Sequence, residues 1–171
     1  MRIIADAIQI ERLIFDLAQR IASDTPIPER LAFIGIRRRG DVLATRLAKV
    51  LSVHDVGSID ITLYRDDLSE TGPAARVGRT DIPFAIEGRD VVLVDDVVMT
   101  GRSSLAGIRE IVDFGRPARL RLAVLVERPE RELPIHPEFA ALRVRPGPED
   151  KVDVRLLPQD DMDRISINPR G

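Results

Sequence analysis

The chain has 171 residues, of which 26 are lysine or arginine and 28 are aspartate or glutamate, and 44% are hydrophobic. This length suits one domain, and the formal charge of -2 argues against a protein that is basic all over, as many nucleic-acid binders are, without excluding one local basic patch. Because the chain has no cysteine, disulfides, thiolate nucleophiles and cysteine-ligated metals are excluded. No apolar run approaches the length of a membrane helix, and Asp6 interrupts any secretory signal, so we expect a soluble, cytoplasmic protein.

The first third of the chain alternates between helix and strand patterns. Apolar residues at helical spacing predict a helix over Asp6–Ser23, which the segment Asp24–Pro28 ends. The apolar run Leu31–Ile36 predicts a buried strand. A second helix is predicted to start near Asp41, and Ile59–Tyr64 has the pattern of another strand.

The rest of the chain begins with a long polar segment, Arg65–Pro83, whose length is typical of a lid or a disordered loop. Val91–Val94 is the most apolar strand candidate. A helix is predicted from about Ser103 to a C-cap at Gly115, followed by a strand over Leu120–Val126. Shorter strands are predicted at Phe139–Val144, Val152–Leu157 and Ile165–Ile167.

Strands that alternate with helices predict an α/β fold with a mostly parallel sheet. In such sheets ligands bind beyond the carboxyl ends of the strands. The segments that follow strands are therefore the candidates for a site: Arg37–Gly40, Arg65–Asp67, Asp95–Ser104 and Glu127–Arg131.

The stretch after the central strand carries the clearest chemical signal. Asp95 and Asp96 emerge at the strand end, and a turn with Gly101 leads into a helix. The glycine allows close backbone approach, and the helix amides together with the hydroxyls around them suit a phosphate. The two carboxylates suit a neighbouring diol or a hydrated Mg²⁺. The aspartate pair alone could be a metal site in an unrelated phosphatase or receiver fold, or only a capped turn, and the helix start alone is a common one. Together they predict a ribose 5-phosphate site.

Several stretches resemble a known family. Val91–Ser103 is similar to the phosphoribosyl pyrophosphate (PRPP) signature of type I phosphoribosyltransferases, and Asp60–Leu68 is nearly a string of the PyrR family within that superfamily. Further similarity to PyrR proteins lies in Leu31–Gly40, Thr80–Pro83, Gly115–Ala118, Leu125–Arg128 and Arg131–Ile135. The resemblance implies one domain over residues 1–171, with a central sheet flanked by helices, a small hood and a flexible lid at about 65–83.

The resemblance also implies an activity and its partners. PyrR proteins are uracil phosphoribosyltransferases, which convert uracil and PRPP into UMP and pyrophosphate with Mg²⁺. They also regulate pyrimidine genes by UMP-dependent binding to an mRNA leader, and they form dimers or tetramers. We therefore expect a homodimer or homotetramer with PRPP, uracil, UMP and a pyrimidine-operon leader as partners. An RNA-binding regulator with little catalysis, or a transferase for hypoxanthine or guanine, remains an alternative.

Site residues follow from the same resemblance. The catalytic residues would be Asp95, Asp96 and Arg65, with Asp95 and Asp96 also holding the metal through water. The residues expected to bind PRPP are Val94, Asp95, Asp96, Val97, Val98, Met99, Thr100, Gly101, Arg102, Ser103 and Ser104. The pyrophosphate loop would comprise Arg37, Arg38, Arg39 and Gly40, the lid Arg65, Asp66 and Asp67, and the base pocket Met99, Val126, Glu127 and Arg128.

Two of these groups also have an interpretation that involves no binding function. Guanidinium groups suit phosphate oxygens, yet for an isolated run of three arginines a solvated surface charge run would be the favoured interpretation. The lid residues Arg65–Asp67 could form a salt-bridged strand end. The position of each group at the end of a strand favours the functional interpretation.

Some residues depart from the family pattern. Met99 stands where an aromatic residue is usual and Glu127 where aspartate is usual, which leaves the choice of base less certain. On the expected RNA face, Pro129 and Glu130 replace a glycine and a histidine, although Arg131 and Arg143 remain as candidate RNA contacts. The first helix offers Phe15, Asp16 and Gln19 where polar or basic residues are typical, and Ala141 and Leu142 also depart from the pattern. We expect an intact transferase site and RNA binding that is weakened, altered in target or lost.

Overall fold

The structure is a computed structural model that describes residues 1–62 and 80–169. Its main sheet has five parallel strands in the order β3-β2-β4-β5-β6, and a second sheet of three antiparallel strands has the order β1-β8-β7. The elements are β1 (Arg2–Ala5), α1 (Ala7–Ser23), β2 (Leu31–Ile36), α2 (Gly40–Leu51), β3 (Val56–Ile59), β4 (Asp90–Val98), α3 (Arg102–Phe114), β5 (Arg119–Glu127), β6 (Phe139–Arg143), β7 (Lys151–Arg155) and β8 (Arg164–Asn168). The predicted α/β class with a mostly parallel sheet is confirmed. The three-stranded sheet β1-β8-β7 is the predicted small hood.

Local sequence accounts for the first helix. Asp6 caps α1 by accepting a hydrogen bond from the Gln9 amide at 2.9 Å, and the Gln9 side chain accepts one from the Asp6 amide at 3.0 Å. This reciprocal cap satisfies two amides that would otherwise lack partners at a helix start. The apolar residues at helical spacing, Ile10, Ile14, Leu17, Ala18 and Ile21, are all buried. The predicted helix is therefore confirmed.

The main sheet separates two hydrophobic cores. One face of the sheet, with Phe33, Val92 and Val94, packs against α1, α2 and the hood strands. The other face, with Ile34 and Leu93, packs against α3. Because successive residues of a strand point to opposite faces, β4 supplies side chains to both cores in alternation. Its central position brings its carboxyl end, where the two aspartates lie, between β2 and β5.

Most strand predictions are confirmed to within a few residues, but one is wrong. The strand predicted at Ile59–Tyr64 is β3, and it ends at Ile59. In the parallel register Ile59 lies opposite Ile36, the last residue of β2, so the neighbouring strand offers no further ladder partner. Ile61 is nevertheless buried, which explains why the alternating pattern extended past the strand end. The sequence pattern also missed β1, whose four residues pair with β8 at the other end of the chain.

The hood and the segment that begins at residue 80 both contact the main domain. The hood residues Val152, Val154, Leu156, Ile165 and Ile167 belong to the same core as α1 and α2. The backbones of Ser58 and Asp81 exchange two hydrogen bonds of 2.8 Å, which joins the segment from residue 80 onward to β3. The predicted lid residues Arg65, Asp66 and Asp67 lie outside the described residues. No helix in the described ranges is long and apolar enough to cross a membrane.

Candidate functional site

The carboxyl end of β4 places two carboxylates next to each other. Asp95 is buried and Asp96 half-buried. The Asp96 amide donates to Asp95 Oδ1 at 2.9 Å, and the Val97 amide donates to Asp96 Oδ1 at 2.9 Å. By strand alternation Asp96 shares the face of Val92 and Val94, which is the α2 side of the sheet. The backbone bonds fix both carboxylates at the strand end.

Burial dominates the electrostatics of the second aspartate. Removal from water raises the pKa of Asp96 above its ordinary value, while hydrogen bonding with Asp95, the Val97 amide and the positive charge of Arg39 act in the opposite direction. A carboxylate that is poorly hydrated gains more from a bound cation or hydroxyl donor than an exposed one does. Asp96 is therefore well suited to face a diol or a cation.

A turn after β4 forms the start of α3. Gly101 has φ of 91°, a left-handed conformation that L side chains adopt only with strain, and it stands at the N-cap of the helix. The Arg102 amide donates to Thr100 Oγ1 at 3.3 Å. The following amides, of Ser103 and Ser104, lie in the first turn, where no helical carbonyl is available to them. This end of α3 can therefore bind an anion.

One hydroxyl in that turn is buried without a protein partner. Ser104 is 1% exposed, and its Oγ has no hydrogen-bond partner among the residues described. A buried hydroxyl in this state is costly unless a ligand or water satisfies it. Because this oxygen has almost no accessible surface, a phosphate could bind it only if the first turn of α3 moves.

The segment after β5 holds this turn in place. The Thr100 carbonyl accepts hydrogen bonds from the amides of Glu132 at 3.0 Å and Leu133 at 3.1 Å. Arg102 Nε donates to Glu132 Oε2 at 2.8 Å, in an exposed ion pair. A candidate phosphate contact, the Arg102 side chain, is thus engaged with the neighbouring segment.

The arginine run after β2 lies beside the same strand end. Gly40 begins α2, and a Cβ there would come within 2.5 Å of the Val94 carbonyl oxygen, so only glycine allows this approach of α2 to β4. Arg37 Nε donates to Ser58 Oγ at 3.1 Å, whereas Arg38 is exposed. The peptide bond between Arg37 and Arg38 is cis.

The positive charge of Arg39, the last arginine of this run, lowers the pKa of Asp96, and Asp96 raises the pKa of Arg39 in turn. Arg39 Nε and Nη2 donate to the two carboxylate oxygens of Asp160, both at 2.8 Å. Asp160 belongs to the turn between β7 and β8, so a residue of the hood binds an arginine of the predicted pyrophosphate loop. Sequence analysis missed Asp160, because no local motif marks it and it lies 121 residues from its partner.

The residues predicted for the base pocket differ in accessibility. The Val126 side chain is fully buried in the core, so it can contribute only its backbone, whereas Met99 is exposed. Arg128 is buried and donates to both carboxylate oxygens of Glu130, at 3.1 and 2.8 Å. Glu127 is half-buried at the end of β5. Met99 and Glu127 are thus the predicted base contacts with accessible side chains.

Both predicted RNA contacts are ion-paired with Glu127. Arg131 Nη2 and Arg143 Nε donate to its two carboxylate oxygens at 2.9 and 2.8 Å. Arg131 also donates to the Met99 carbonyl, and its side chain is 10% exposed, compared with 69% for Arg143. Of these two arginines, Arg143 is therefore the one that retains a solvent-facing charge.

The donor set fits a divalent cation that brings other ligands with it. The described parts of the chain contain no group of three or more acidic or histidine side chains that could hold a metal. The adjacent carboxylates of Asp95 and Asp96 are hard oxygen donors, and Mg²⁺ commonly uses one or two carboxylates together with water and substrate phosphates. The pair therefore fits Mg²⁺ bound through water and a phosphorylated substrate.

Comparison with known proteins defines the class. Residues 3–152 match the family model of the phosphoribosyl transferase domain. The solved structure of the hypoxanthine phosphoribosyltransferase of Trypanosoma cruzi has the same fold, with a TM-score of 0.75 at 19% identity over 99% of this chain and 98% of that one. The chain therefore contains a phosphoribosyltransferase domain and has the corresponding fold.

Curated relatives define the family more closely. The chain is 48% identical to the bifunctional protein PyrR of Roseiflexus sp. (strain RS-1) over 158 residues, which cover 90% of this chain and 86% of that protein. It is 43% identical to the bifunctional protein PyrR of Chloroflexus aurantiacus over 169 residues, covering 96% and 93%. The chain belongs to the PyrR family of phosphoribosyltransferases, as its motifs predicted.

Proposed function

We propose that the protein transfers the 5-phosphoribosyl group of PRPP to uracil and releases pyrophosphate. The observation that carries this proposal is the juxtaposition, near the end of β4, of two carboxylates with a helix start whose first-turn amides have no helical carbonyl to bind. A phosphate on the helix start and a diol on the carboxylates together correspond to a ribose 5-phosphate.

The 5-phosphate would bind at the start of α3. The amides of the first turn would donate to phosphate oxygens, and Thr100 and Ser103 would add hydroxyl donors, joined by Ser104 if the turn moves on binding. The left-handed Gly101 brings the backbone close to the ligand. Val94, Val97 and Val98, which also belong to the predicted PRPP segment, would support this turn as part of β4.

The ribose hydroxyls would donate to Asp95 and Asp96. Their negative charge would also favour the positive charge that develops on the ribose ring as the bond to pyrophosphate weakens. When bound, Mg²⁺ would neutralise charge on the departing pyrophosphate. Asp95 and Asp96 would hold it through water.

Pyrophosphate would leave against the loop Arg37–Gly40. Backbone amides and the guanidinium of Arg39 are its proposed donors. The proposed lid, with Arg65, Asp66 and Asp67, lies outside the described residues, and closure over PRPP would exclude water from the reacting carbon.

The chemical step is a displacement at C1 of the ribose. A ring nitrogen of uracil forms the new bond to that carbon, the bond from the carbon to the pyrophosphate oxygen breaks, and the nitrogen's proton is released. Uracil would lie near Met99 and Glu127, with the backbone of Val126 and Arg128 as neighbours. Orientation of the reactants and charge stabilisation carry the reaction, so little general-base work is needed.

The direct test is UMP synthesis from uracil, PRPP and Mg²⁺, followed by chromatography. Hypoxanthine and guanine serve as competing bases, and thermal shifts with UMP, GMP and IMP report which nucleotide binds. We expect UMP formation and a shift with UMP. Formation of IMP or GMP instead would mean that the base substrate is a purine and not uracil. Absence of transfer to all three bases would refute the proposal.

Regulation through RNA is the second proposed function, since the named relatives are bifunctional. Arg131 and Arg143 both pair with Glu127, which supports the expectation of weakened RNA binding. The test is a gel-shift titration with the pyrimidine-operon leader of the same genome, with and without UMP. Tight, UMP-enhanced binding at physiological salt would contradict the weakening. A cytoplasmic location and a dimer or tetramer are also proposed, and light scattering tests the latter.

A further inference from the structure

Two similar ion pairs attach the hood to α2. Arg39 donates through Nε and Nη2 to both carboxylate oxygens of Asp160, at 2.8 Å each. Arg46 donates through Nη1 and Nη2 to both carboxylate oxygens of Asp163, at 2.6 and 2.8 Å. Bidentate pairs of this kind fix the plane of the guanidinium as well as its position.

Each carboxylate is itself held from the hood side by a backbone amide. The Leu156 amide donates to Asp160 Oδ2 at 2.8 Å, and the Leu157 amide donates to Asp163 Oδ1 at 2.7 Å. The two aspartates are therefore rigid acceptors, and their arginines are oriented by the hood. Both pairs are partly buried, which limits their screening by solvent.

The two pairs differ in what their arginines face. Arg46 lies about two turns into α2, where its Nη2 also donates to the Leu157 carbonyl at 2.8 Å. Arg39 immediately precedes Gly40, which packs against the backbone of Val94 and Asp95 in β4, and the positive charge of Arg39 favours the charged form of Asp96. Only the first pair therefore joins the hood to the strand-end site.

The shape of the guanidinium determines which N–H donors of Arg39 remain available after it pairs with Asp160. Arginine has five N–H donors in a fixed fork. The bonds to Asp160 use the edge formed by Nε and Nη2, so the remaining donors are turned away from the hood. Without this anchor the flexible side chain would be free to pair with Asp96 and neutralise the carboxylate that the substrate needs.

We propose that Asp160 is a positioning residue, which holds the guanidinium of Arg39 so that its remaining N–H donors bind the pyrophosphate oxygens of PRPP. This inference rests on the proposed transferase function. It extends the site to the hood and makes a residue near the end of the chain part of substrate binding. Asp163, which is held in the same way by Arg46 and the Leu157 amide, provides the matched control.

The experiment compares Asp160→Asn with Asp163→Asn. We expect both variants to lose similar thermal stability, because each loses one charged attachment of the hood. Only Asp160→Asn should raise the KM for PRPP and the Kd for magnesium pyrophosphate, by about tenfold, which is the value of one charge-assisted hydrogen bond. The KM for uracil should change little in either variant.

A double-mutant cycle with Arg39→Met tests whether Asp160 acts through Arg39. Asp160→Asn should have no further effect on pyrophosphate affinity once Arg39 is replaced, and Asp160→Glu should restore part of the affinity. Equal effects of Asp160→Asn and Asp163→Asn, or a full additional loss in the Arg39→Met background, would overturn the inference. A wild-type protein that makes no UMP would refute the proposed function instead, and the pyrophosphate titration would still decide the role of Asp160.

Discussion

Replacement of Ser104 by alanine should have opposite effects on stability and on ligand binding. Ser104 Oγ is buried and has no partner within the described residues, so the ligand-free protein carries a hydroxyl without its hydrogen bonds. Removal of that oxygen leaves the methyl group of alanine, which suits a helix position better than serine does. The same removal takes a donor from the proposed phosphate site.

The magnitudes follow from the state of the hydroxyl. An unsatisfied buried polar group costs about 1–3 kcal/mol, so the variant should be at least as stable as the wild type, with a gain of about 1 kcal/mol. For a chain of this size that gain corresponds to a rise in Tm of about 2–4 °C. Loss of one hydrogen bond to a charged phosphate costs about 1.5–3 kcal/mol, which lowers PRPP affinity roughly tenfold to hundredfold.

Ser166 offers a matched control for this experiment. It is also 1% exposed, and its Oγ likewise has no partner in the described structure, but it lies in the hood strand β8. Ser166→Ala should therefore share the effect on stability without the effect on PRPP.

The assay has two parts, thermal unfolding without ligand and calorimetric titration with PRPP and Mg²⁺. Unchanged PRPP affinity in Ser104→Ala would show that the Ser104 hydroxyl is not part of the phosphate site. A fall in Tm by several degrees without ligand, in Ser104→Ala but not in Ser166→Ala, would mean that the hydroxyl already has a partner in the free protein.

Three further predictions concern the strand end, the α2 contact and the hood. Asp95→Asn and Asp96→Asn should each reduce UMP synthesis by orders of magnitude with an unchanged circular dichroism spectrum, because the charge facing the ribose is lost; near-normal kinetics in both would contradict the assignment. Gly40→Ala places a Cβ 2.5 Å from the Val94 carbonyl oxygen and should destabilise the fold by about 1–3 kcal/mol in denaturant unfolding while raising the KM for PRPP; unchanged stability would mean that α2 shifts freely. The guanidinium hydrogen bonds hold the pKa of Asp160 below its ordinary value, so this pair stabilises the protein above about pH 4 and the contribution is lost as pH falls through the lowered pKa. Asp160→Asn should therefore show a weaker loss of stability on acidification, and an acid unfolding curve parallel to that of the wild type would refute this.

The strand-end site could be predicted because its parts are consecutive in the chain. Four apolar residues, Val91–Val94, require burial, and the two aspartates that follow lie in the last four residues of the strand, which extends to Val98. Gly101 and the serines after it begin a helix in the next turn. Hydrophobic periodicity and capping chemistry act over a few residues, so the sequence alone was sufficient to predict that a helix start follows closely after a carboxylate pair.

The sequence also indicated the family, since its motifs extend over nearly the whole chain. The sequence was less informative about which side chains are available to bind a ligand or RNA. Arg128, Arg131 and Arg143 read as potential ligand or RNA contacts, yet in the structure each pairs with an acid, Glu130 for the first and Glu127 for the other two. A linear sequence does not state which charges neutralise each other, because ion pairing depends on distances between side chains in space.

Tertiary structure alone decided the features that join distant parts of the chain. β1 exists because β8 completes its hydrogen bonds, and β3 ends where β2 no longer offers a partner. The pairing of Arg39 with Asp160 joins residues 121 positions apart. Strand pairing and ion pairing need two partners, and only the folded chain brings such partners together, whereas helix caps and buried strands are properties of short segments.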